Sequence, residues 1–197
     1  DVEPNTCRLT CALPGCGDGV IDSTDDCDLT IVNRNRYPTR VTEGPNGMLF
    51  VTDPDAGSVF IYESDLRLVG ELKGLDLPLG VAVSSSGVLY IGNNGLDNVE
   101  IFSTAGEYVG SFGDAVLSMP TDLDVDADGN VYVADSMLNL IKVYDASGSF
   151  LRDIGMPDDN NGSTAPDELL FPVAVDVAYR AGHPNGELFV ADQGHYR

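Results

Sequence analysis

The chain has 197 residues, of which 43% are hydrophobic, and its 32 acidic and 10 basic side chains give a net charge of −22. The hydrophobic content predicts a folded core, and the acidic surface excludes binding to nucleic acid or anionic membranes while favouring cations or basic partners. No apolar run approaches the length of about 18 residues that spans a bilayer, so membrane insertion is not expected.

The first 36 residues are predicted to form a Cys-rich acidic module of their own. They contain all four cysteines of the chain, Cys7, Cys11, Cys16 and Cys27. A clustered, even set of cysteines is typical of disulfides formed in an oxidising compartment, and four cysteines allow three pairings. The spacing lacks the paired cysteines of a zinc site. We therefore expect a protein that is secreted, extracellular or displayed on the cell surface, with the periplasm as a further compartment.

Aspartates crowd the same segment, and four of them are candidate metal ligands: Asp18, Asp22, Asp26 and Asp28. Hard oxygen ligands at close spacing, on a Gly-rich turn held by crosslinks, suit Ca²⁺. The spacing is not that of an EF-hand. The sequence thus predicts a calcium site here, with a solvated acidic loop as the alternative.

The segment also resembles a known type of repeat. From Cys7 to Asp28 it reads CRLTCALPGCGDGVIDSTDDCD. This string is similar to the Cys-Gly-Asp-Gly repeats of bacterial secreted proteins, which are short disulfide-rich units. After Asp28 the sequence departs from that pattern, so the resemblance covers only the junction between two such units.

From residue 37 onward one template repeats at a step of 40 and then 42 residues. A proline is followed nine residues later by glycine, fifteen later by Asp or Asn, and twenty-four later by an aromatic residue. The copies are Pro38, Gly47, Asp53, Tyr62; then Pro78, Gly87, Asn93, Phe102; then Pro120, Gly129, Asp135, Tyr144; and a stretched, incomplete fourth, Pro172, Gly186, Asp192. A period of this length indicates an array of supersecondary units.

Each unit is predicted to form four short strands. In the third copy they cover residues 121–125, 130–134, 140–144 and 150–154, where branched and aromatic residues are bounded by Gly, Asp and Asn. Several strands are apolar on both faces, which is expected for a sheet packed between two neighbouring sheets. The prediction is an all-β propeller with blades at residues 37–75, 76–116, 117–162 and, incomplete, 163–197.

The third copy identifies the kind of blade by resemblance. From Met119 to Tyr144 it reads MPTDLDVDADGNVYVADSMLNLIKVY, which resembles an NHL repeat, and the resemblance extends over roughly residues 37–197. The family implies a six-bladed propeller that is most often a binding platform. About four blades are visible, so we expect a longer polypeptide. The alternative is that residues 29–32 add an outer strand that helps to close the ring.

Few residues point to catalysis, and no catalytic residue is predicted, because neither a nucleophile elbow nor a phosphate loop stands out. The chain has two histidines, His183 and His195, too few for a three-His zinc site. Carboxylates on or beside the first strands could hold a cation in the channel or could simply form turns: Glu43, Asp122, Asp124, Asp126 and Asp176. Asp53, Asp135 and Asp192 follow the second strands and are expected to bond to the turn backbone.

An insertion at residues 178–185 lengthens one hairpin of the fourth unit. It carries an aromatic ring, a cation and an imidazole, on Tyr179, Arg180 and His183, and excursions from a repeat often form a binding face. We expect a binding or scaffold protein whose propeller loops engage a protein or glycan partner, with basic partners favoured by the negative charge of the chain. Two alternatives stay open: a metal-dependent propeller hydrolase or lyase with part of its site in further blades, and a structural subunit of an extracellular assembly.

Overall fold

The computed structural model describes residues 37–157, 165, 167–180 and 183–196, which form β-strands and short 3-10 turns. Residues 1–36, with the predicted cysteine module and the aspartates Asp18, Asp22, Asp26 and Asp28, lie outside the described residues. In the described part of the chain no helix is long and apolar enough to cross a membrane.

Three antiparallel sheets of four strands follow one another along the chain. Blade 1 contains β1 (Arg40–Glu43), β2 (Leu49–Asp53), β3 (Ser58–Tyr62) and β4 (Leu68–Lys73). Blade 2 contains β5 (Pro78–Val83), β6 (Val88–Asn93), β7 (Asn98–Ser103) and β8 (Tyr108–Phe112). Blade 3 contains β9 (Pro120–Val125), β10 (Val131–Asp135), β11 (Leu140–Tyr144) and β12 (Phe150–Ile154). The predicted all-β architecture is confirmed, with strand ends that differ from the predicted ones by a residue or so.

The fourth unit is a hairpin that pairs β15 (Pro172–Arg180) with β16 (His183–Asp192). A short parallel pair, β13 (Met156–Pro157) and β14 (Glu168–Leu169), precedes it. The insertion at residues 178–185 extends this hairpin beyond the length of the equivalent hairpins in the other blades. The first strands of the four units, β1, β5, β9 and β15, lie side by side in chain order.

The core lies between the blades, because the middle strands are buried on both faces. Leu89 packs with Phe50 of blade 1, whereas the next residue, Tyr90, packs with Val131 and Val133 of blade 3. A third cluster joins blades 3 and 4. Burying each apolar side chain contributes on the order of 2 kcal/mol, so blades 2 and 3 are each stabilised by both of their neighbours. This arrangement of wedges is a β-propeller.

In blades 2 and 3 and in the fourth unit, the repeated Asp or Asn of the template binds the connector that leads into the unit. Its side chain accepts a hydrogen bond from the backbone N–H of the residue that lies two positions before the template proline, and we call this contact the blade clasp. The three clasps are Asp76 N to Asn93 Oδ1 (2.7 Å), Ser118 N to Asp135 Oδ2 (2.8 Å) and Leu170 N to Asp192 Oδ1 (2.8 Å). The prediction that the aspartates after the second strands bond to the turn backbone is confirmed for Asp53, which accepts the Ala56 N–H (3.0 Å), and for Asp135, which accepts the Leu138 N–H (3.1 Å). Asp192 accepts the N–H of Leu170 in the connector instead.

The template glycines have a conformational role. Gly47, Gly87 and Gly129 have φ angles of +74°, +81° and +87° in the turn that joins the first strand of their blade to the second, and Gly186 has a φ angle of +76° within β16 of the longer hairpin. Side chains are strained at such angles, so these turns require glycine. In blades 2 and 3 and in the fourth unit the template proline is the first residue of the first strand, a position at which proline is tolerated.

Candidate functional site

The residue that lies two positions after the template proline occupies an equivalent place in the first strand of every unit. These residues are Arg40, Gly80, Asp122 and Ala174. The register supports the equivalence, since Arg40, Asp122 and Ala174 lie opposite Thr52, Ala134 and Ala191 of their second strands. We call this set the arginine level.

Arg40 joins three blades at the arginine level. Its Nε donates to Asp122 Oδ1 at 3.1 Å, and its Nη2 donates to the carbonyl oxygen of Val173 at 2.7 Å. The other carboxylate oxygen of Asp122 accepts the N–H of Val175 at 3.1 Å. Burial raises the pKa of Asp122, whereas the Val175 N–H and the Arg40 charge oppose this shift. The carboxylate at this level therefore serves to connect blades.

Gly80 explains how the first strands of blades 2 and 3 come so close. A Cβ at this position would lie 2.7 Å from Asp122 Cα and 2.7 Å from Leu123 Cδ1. Real Cβ atoms do not approach backbone atoms this closely, so any side chain here would push β5 and β9 apart. The absence of a side chain at Gly80 thus helps to position Asp122 for Arg40.

Two residues further along the first strand, blade 3 has Asp124 and the fourth unit has Asp176. Asp124 Oδ2 accepts the Val177 N–H at 2.6 Å, and its Oδ1 accepts the Val125 N–H at 2.8 Å. Burial raises the pKa of Asp124 against these hydrogen bonds, and the neighbouring carboxylates of Asp176 and Asp126 raise it further. Asp176 itself is exposed.

Of the five carboxylates predicted for a channel cation, Asp124 has Asp176 and Asp126 as electrostatic neighbours, whereas Asp122 pairs with Arg40. Asp126 instead caps its own turn, accepting hydrogen bonds from the N–H groups of Asp128 (3.0 Å) and Asn130 (2.8 Å). Glu43 lies apart in an open groove of about 240 Å³ between blades 1 and 2. Among the described residues, no group of three His, Cys, Asp or Glu side chains is arranged to hold a metal ion.

One imidazole is held by a carboxylate in the fourth unit. His195 Nδ1 lies 2.7 Å from Asp192 Oδ2, and both side chains are buried. In blade 3 the equivalent contact is made by backbone, where Leu138 N donates to Asp135 Oδ1 at 3.1 Å. The histidine side chain therefore takes part in a turn interaction that the repeat already contains.

The residues predicted to contact a partner lie on the long hairpin of the fourth unit. Tyr179 is 47% exposed, and its hydroxyl oxygen accepts the Ala127 N–H from the first turn of blade 3 at 2.7 Å. Arg180 and His183 are register partners across the hairpin. Their contact with a partner stays a prediction.

A surface that the sequence did not reveal lies at the opposite ends of the strands. Here the turns between second and third strands (residues 53–57, 94–97 and 136–139) meet the connectors between blades (residues 74–77 and 113–119), and we call this surface the connector face. Backbone hydrogen bonds such as Asn94 N to Leu77 O (3.2 Å) and Ser136 N to Met119 O (3.1 Å) join turns to connectors.

Four large apolar side chains are exposed on the connector face: Leu77 (46%), Leu96 (54%), Val116 (50%) and Met137 (60%). The carboxylates of Asp55, Asp76, Asp97 and Asp114 are also on this face and exposed. None of the described turns and connectors that form it contains Lys or Arg. The signal in the sequence was the presence of apolar residues where turns usually have polar ones.

Several solved structures share this fold. No family model matches the chain, and no curated protein matches it. Hydrazine synthase of Kuenenia stuttgartiensis is 21% identical with a TM-score of 0.61, over 82% of this chain and 47% of that one. Virginiamycin B lyase from Staphylococcus aureus is 19% identical with a TM-score of 0.60, over 73% of this chain and 46% of that one.

A gluconolactonase from Xanthomonas campestris is 18% identical with a TM-score of 0.57, over 73% of this chain and 51% of that one. The chain spans about half the length of these proteins. At such identities the likeness shows the fold alone. The described residues therefore form blades of a β-propeller of the kind found in virginiamycin B lyase and gluconolactonases.

Proposed function

We propose that this chain belongs to an extracellular propeller that binds a basic protein partner on its connector face. The observation that carries the proposal is the set of exposed Leu77, Leu96, Val116 and Met137 side chains, surrounded by carboxylates. Exposed apolar side chains in a group mark interaction sites more often than scattered ones do. A partner with both cationic and apolar side chains would complement this surface.

The charge of the chain supports the same partner chemistry. With a net charge of −22 and no Lys or Arg in the described turns and connectors, the connector face repels acidic partners and attracts basic ones. Electrostatic attraction of this kind increases the association rate, and the apolar contacts then slow dissociation.

We also propose that the blades are of the NHL type and belong to a six-bladed ring. The repeated positions of the template support this, since in blades 2 and 3 the proline begins the first strand, the glycine has a positive φ in the first turn and the Asp or Asn makes the blade clasp. The long hairpin with Tyr179, Arg180 and His183 would then project from the opposite face as a second contact surface.

Peptide binding tests the proposal directly. Three fluorescein-labelled peptides of equal length, built from Lys and Leu, from Lys and Ser, and from Glu and Leu, are titrated with the chain in fluorescence anisotropy. We expect the Lys/Leu peptide to bind most tightly and its affinity to fall with salt, because the Debye length shrinks to about 8 Å at physiological ionic strength. Equal binding of the Glu/Leu peptide would contradict the proposal.

Substitutions on the connector face and outside it locate the binding surface. We expect Leu96→Ser with Met137→Ser to weaken binding of the Lys/Leu peptide by about tenfold or more, as loss of buried apolar contacts does. Val109→Ser, at a side chain that is 66% exposed on the outer strand β8, is the matched control and should leave affinity unchanged. If Val109→Ser weakens binding as much, or if the double variant binds normally, the connector face is not the site.

A second candidate function is a propeller enzyme, and the buried Asp192–His195 pair favours it. A carboxylate that holds imidazole Nδ1 orients the ring for acid–base work. One similar structure is a gluconolactonase, and another is virginiamycin B lyase with quinupristin, in a variant that is catalytically inactive because a histidine is replaced by alanine. If this function holds, the chain hydrolyses gluconolactone or opens quinupristin, and His195→Ala abolishes the turnover. Turnover that is absent, or unchanged in His195→Ala, would dismiss the candidate.

A further inference from the structure

Met137 is presented to solvent by a turn whose backbone is held on both sides. It lies between β10 and β11 of blade 3, and its side chain is 60% exposed. In that turn Ser136 N donates to Met119 O at 3.1 Å, and Leu138 N donates to Asp135 Oδ1 at 3.1 Å. The backbone that carries the side chain is therefore fixed, whereas the thioether itself is open to solvent.

The repeat does not require a methionine at this place. The residue two positions after the template Asp or Asn is Asp55 in blade 1, Gly95 in blade 2 and Gly194 in the fourth unit. Met137 also belongs to none of the three apolar cores that the described residues form between the blades. Its thioether thus contributes to the connector face and not to the interior of the propeller.

The other three methionines of the chain differ from Met137 in exposure or in position. Met48 is partly buried against the core between blades 1 and 2, and Met119 is also partly buried. Met156 is 50% exposed but lies in β13, which follows blade 3. Because oxidation follows the exposure of the sulfur atom, peroxide should reach Met137 and Met156 before it reaches the two partly buried methionines.

We propose that Met137 is an oxidation site whose modification weakens partner binding on the connector face. The inference rests on the proposed function, since it concerns the regulation of the same surface. The oxidant is a peroxide: the Met137 sulfur attacks one peroxide oxygen, the O–O bond breaks, an S–O bond forms, and the other oxygen leaves as water. Sulfur loses two electrons, the peroxide gains them, and the product is methionine sulfoxide.

Sulfoxide formation makes the surface more polar without changing its charge. The S–O group accepts hydrogen bonds from water, so an apolar partner surface that covered it would leave this oxygen without a hydrogen-bond partner. The other exposed apolar side chains of the face are Leu77, Leu96 and Val116, which have no sulfur for peroxide to oxidise. Oxidation therefore removes one apolar contact and leaves the attraction for basic partners in place.

The modification is reversible, as a regulatory role requires. Methionine sulfoxide reductases restore the thioether, with two thiols supplying the electrons and the oxygen leaving as water. Since Met137 is exposed in the folded chain, a reductase has access to its sulfoxide without unfolding of the blade.

Mass spectrometry of the complete 197-residue chain tests the modification without any partner. The chain is treated with limiting hydrogen peroxide, and the oxidised fraction of each methionine is followed with time. We expect Met137 to be oxidised about fivefold or more faster than Met48 and Met119. The melting temperature should stay unchanged, because the Met137 side chain lies outside the cores. Oxidation of Met137 at the rate of the partly buried methionines would overturn the proposal.

Peptide binding before and after peroxide tests the effect on the connector face. We expect oxidation to weaken binding of the Lys/Leu peptide by about threefold or more, as the loss of one apolar contact does, and reductase treatment to restore it. Met156→Leu should respond to peroxide as the wild type does. Met137→Leu, whatever its own affinity, should have the same affinity before and after peroxide.

The outcomes separate this regulation from the proposed function. Absence of Lys/Leu peptide binding before oxidation contradicts the proposed function and the regulation that rests on it. Binding that is equally tight before and after oxidation overturns the regulation alone. A loss of affinity that also occurs in Met137→Leu would assign the effect to another residue, such as a cysteine, and would overturn the role of Met137 as well.

Discussion

Arg40 of blade 1 and Asp122 of blade 3 form an ion pair of 3.1 Å although 82 residues separate them in the chain. Blade 2 lies between them, and it has only the hydrogen of Gly80 at the same level. The pair is thus possible because three blades contribute an arginine, a glycine and an aspartate at equivalent positions of their first strands.

Removing the guanidinium should destabilise the propeller. Arg40→Met leaves the Asp122 carboxylate buried with the N–H of Val175 as its remaining contact from blade 4, and we expect a loss of about 1–2 kcal/mol in the free energy of unfolding. The loss is below that of a fully buried pair because the Arg40 side chain is 37% exposed. Urea denaturation measures it, and Arg67→Met, at a surface pair with Glu63, should change stability by less than about 0.5 kcal/mol. Equal effects of the two substitutions would contradict the interpretation.

Substitution of Gly80 should be poorly tolerated. Gly80→Ala places a Cβ against Asp122 Cα and Leu123, so we expect a loss of about 1–3 kcal/mol from overpacking. Gly110→Ala is the matched control, because that glycine also lies in a blade 2 strand and a Cβ there meets nothing within 4 Å. Thermal unfolding of both variants distinguishes a steric effect from a general effect of alanine in the sheet.

The blade clasp of blade 3 should depend on the acceptor oxygens of Asp135. The carboxylate is fully buried and accepts the N–H groups of Ser118, Met119 and Leu138. Asp135→Ala leaves these donors without their partner, and we expect a loss of about 2–4 kcal/mol. Asp135→Asn keeps one oxygen and should lose less, as the natural Asn93 of blade 2 suggests. Urea denaturation that ranks the two variants in the opposite order would contradict the clasp.

The two carboxylates on the first strand of blade 3, Asp122 and Asp124, should make the free energy of unfolding depend on pH. Burial raises the pKa values of Asp122 and Asp124 above the ordinary value of 3.8. Between that value and the raised ones, the folded chain retains protons that the unfolded chain releases, so the free energy of unfolding falls as pH increases through this window. Asp124→Asn removes its share of the fall. Urea midpoints from pH 3.5 to 7 should therefore show the wild type losing stability relative to the variant as pH rises, and a constant difference would refute this.

The repeat template predicted the fold well because its residues act locally. The template glycines adopt left-handed turns, and the Asp or Asn side chains reach backbone groups that lie within about one blade, so spacing along the chain was sufficient. The two-sided apolar pattern of residues 131–134 likewise predicted burial on both faces, as β10 confirms.

Contacts between the first strands of different blades were not predictable in the same way. The sequence does not show which face of β9 lies against the first strands of the other blades. The pairing of Asp122 with Arg40 also depends on the close approach that Gly80 allows. The hydrogen bonds from the Asn98 amide to Glu100 and Asp114 were also not predicted, because Asn98 and Glu100 lie on β7 whereas Asp114 lies in a later segment. No periodic pattern in the sequence joins such residues.

The alternation of Leu89 and Tyr90 between two different cores has a consequence for the way the molecule opens. Because consecutive residues of one strand are shared with the blades on either side, no sheet possesses an apolar interior that belongs to it alone. Loosening blade 2 would expose side chains of blades 1 and 3 at the same time. Amide exchange should therefore report similar opening energies for β6 and β10, and the middle strands should behave as a single cooperative unit.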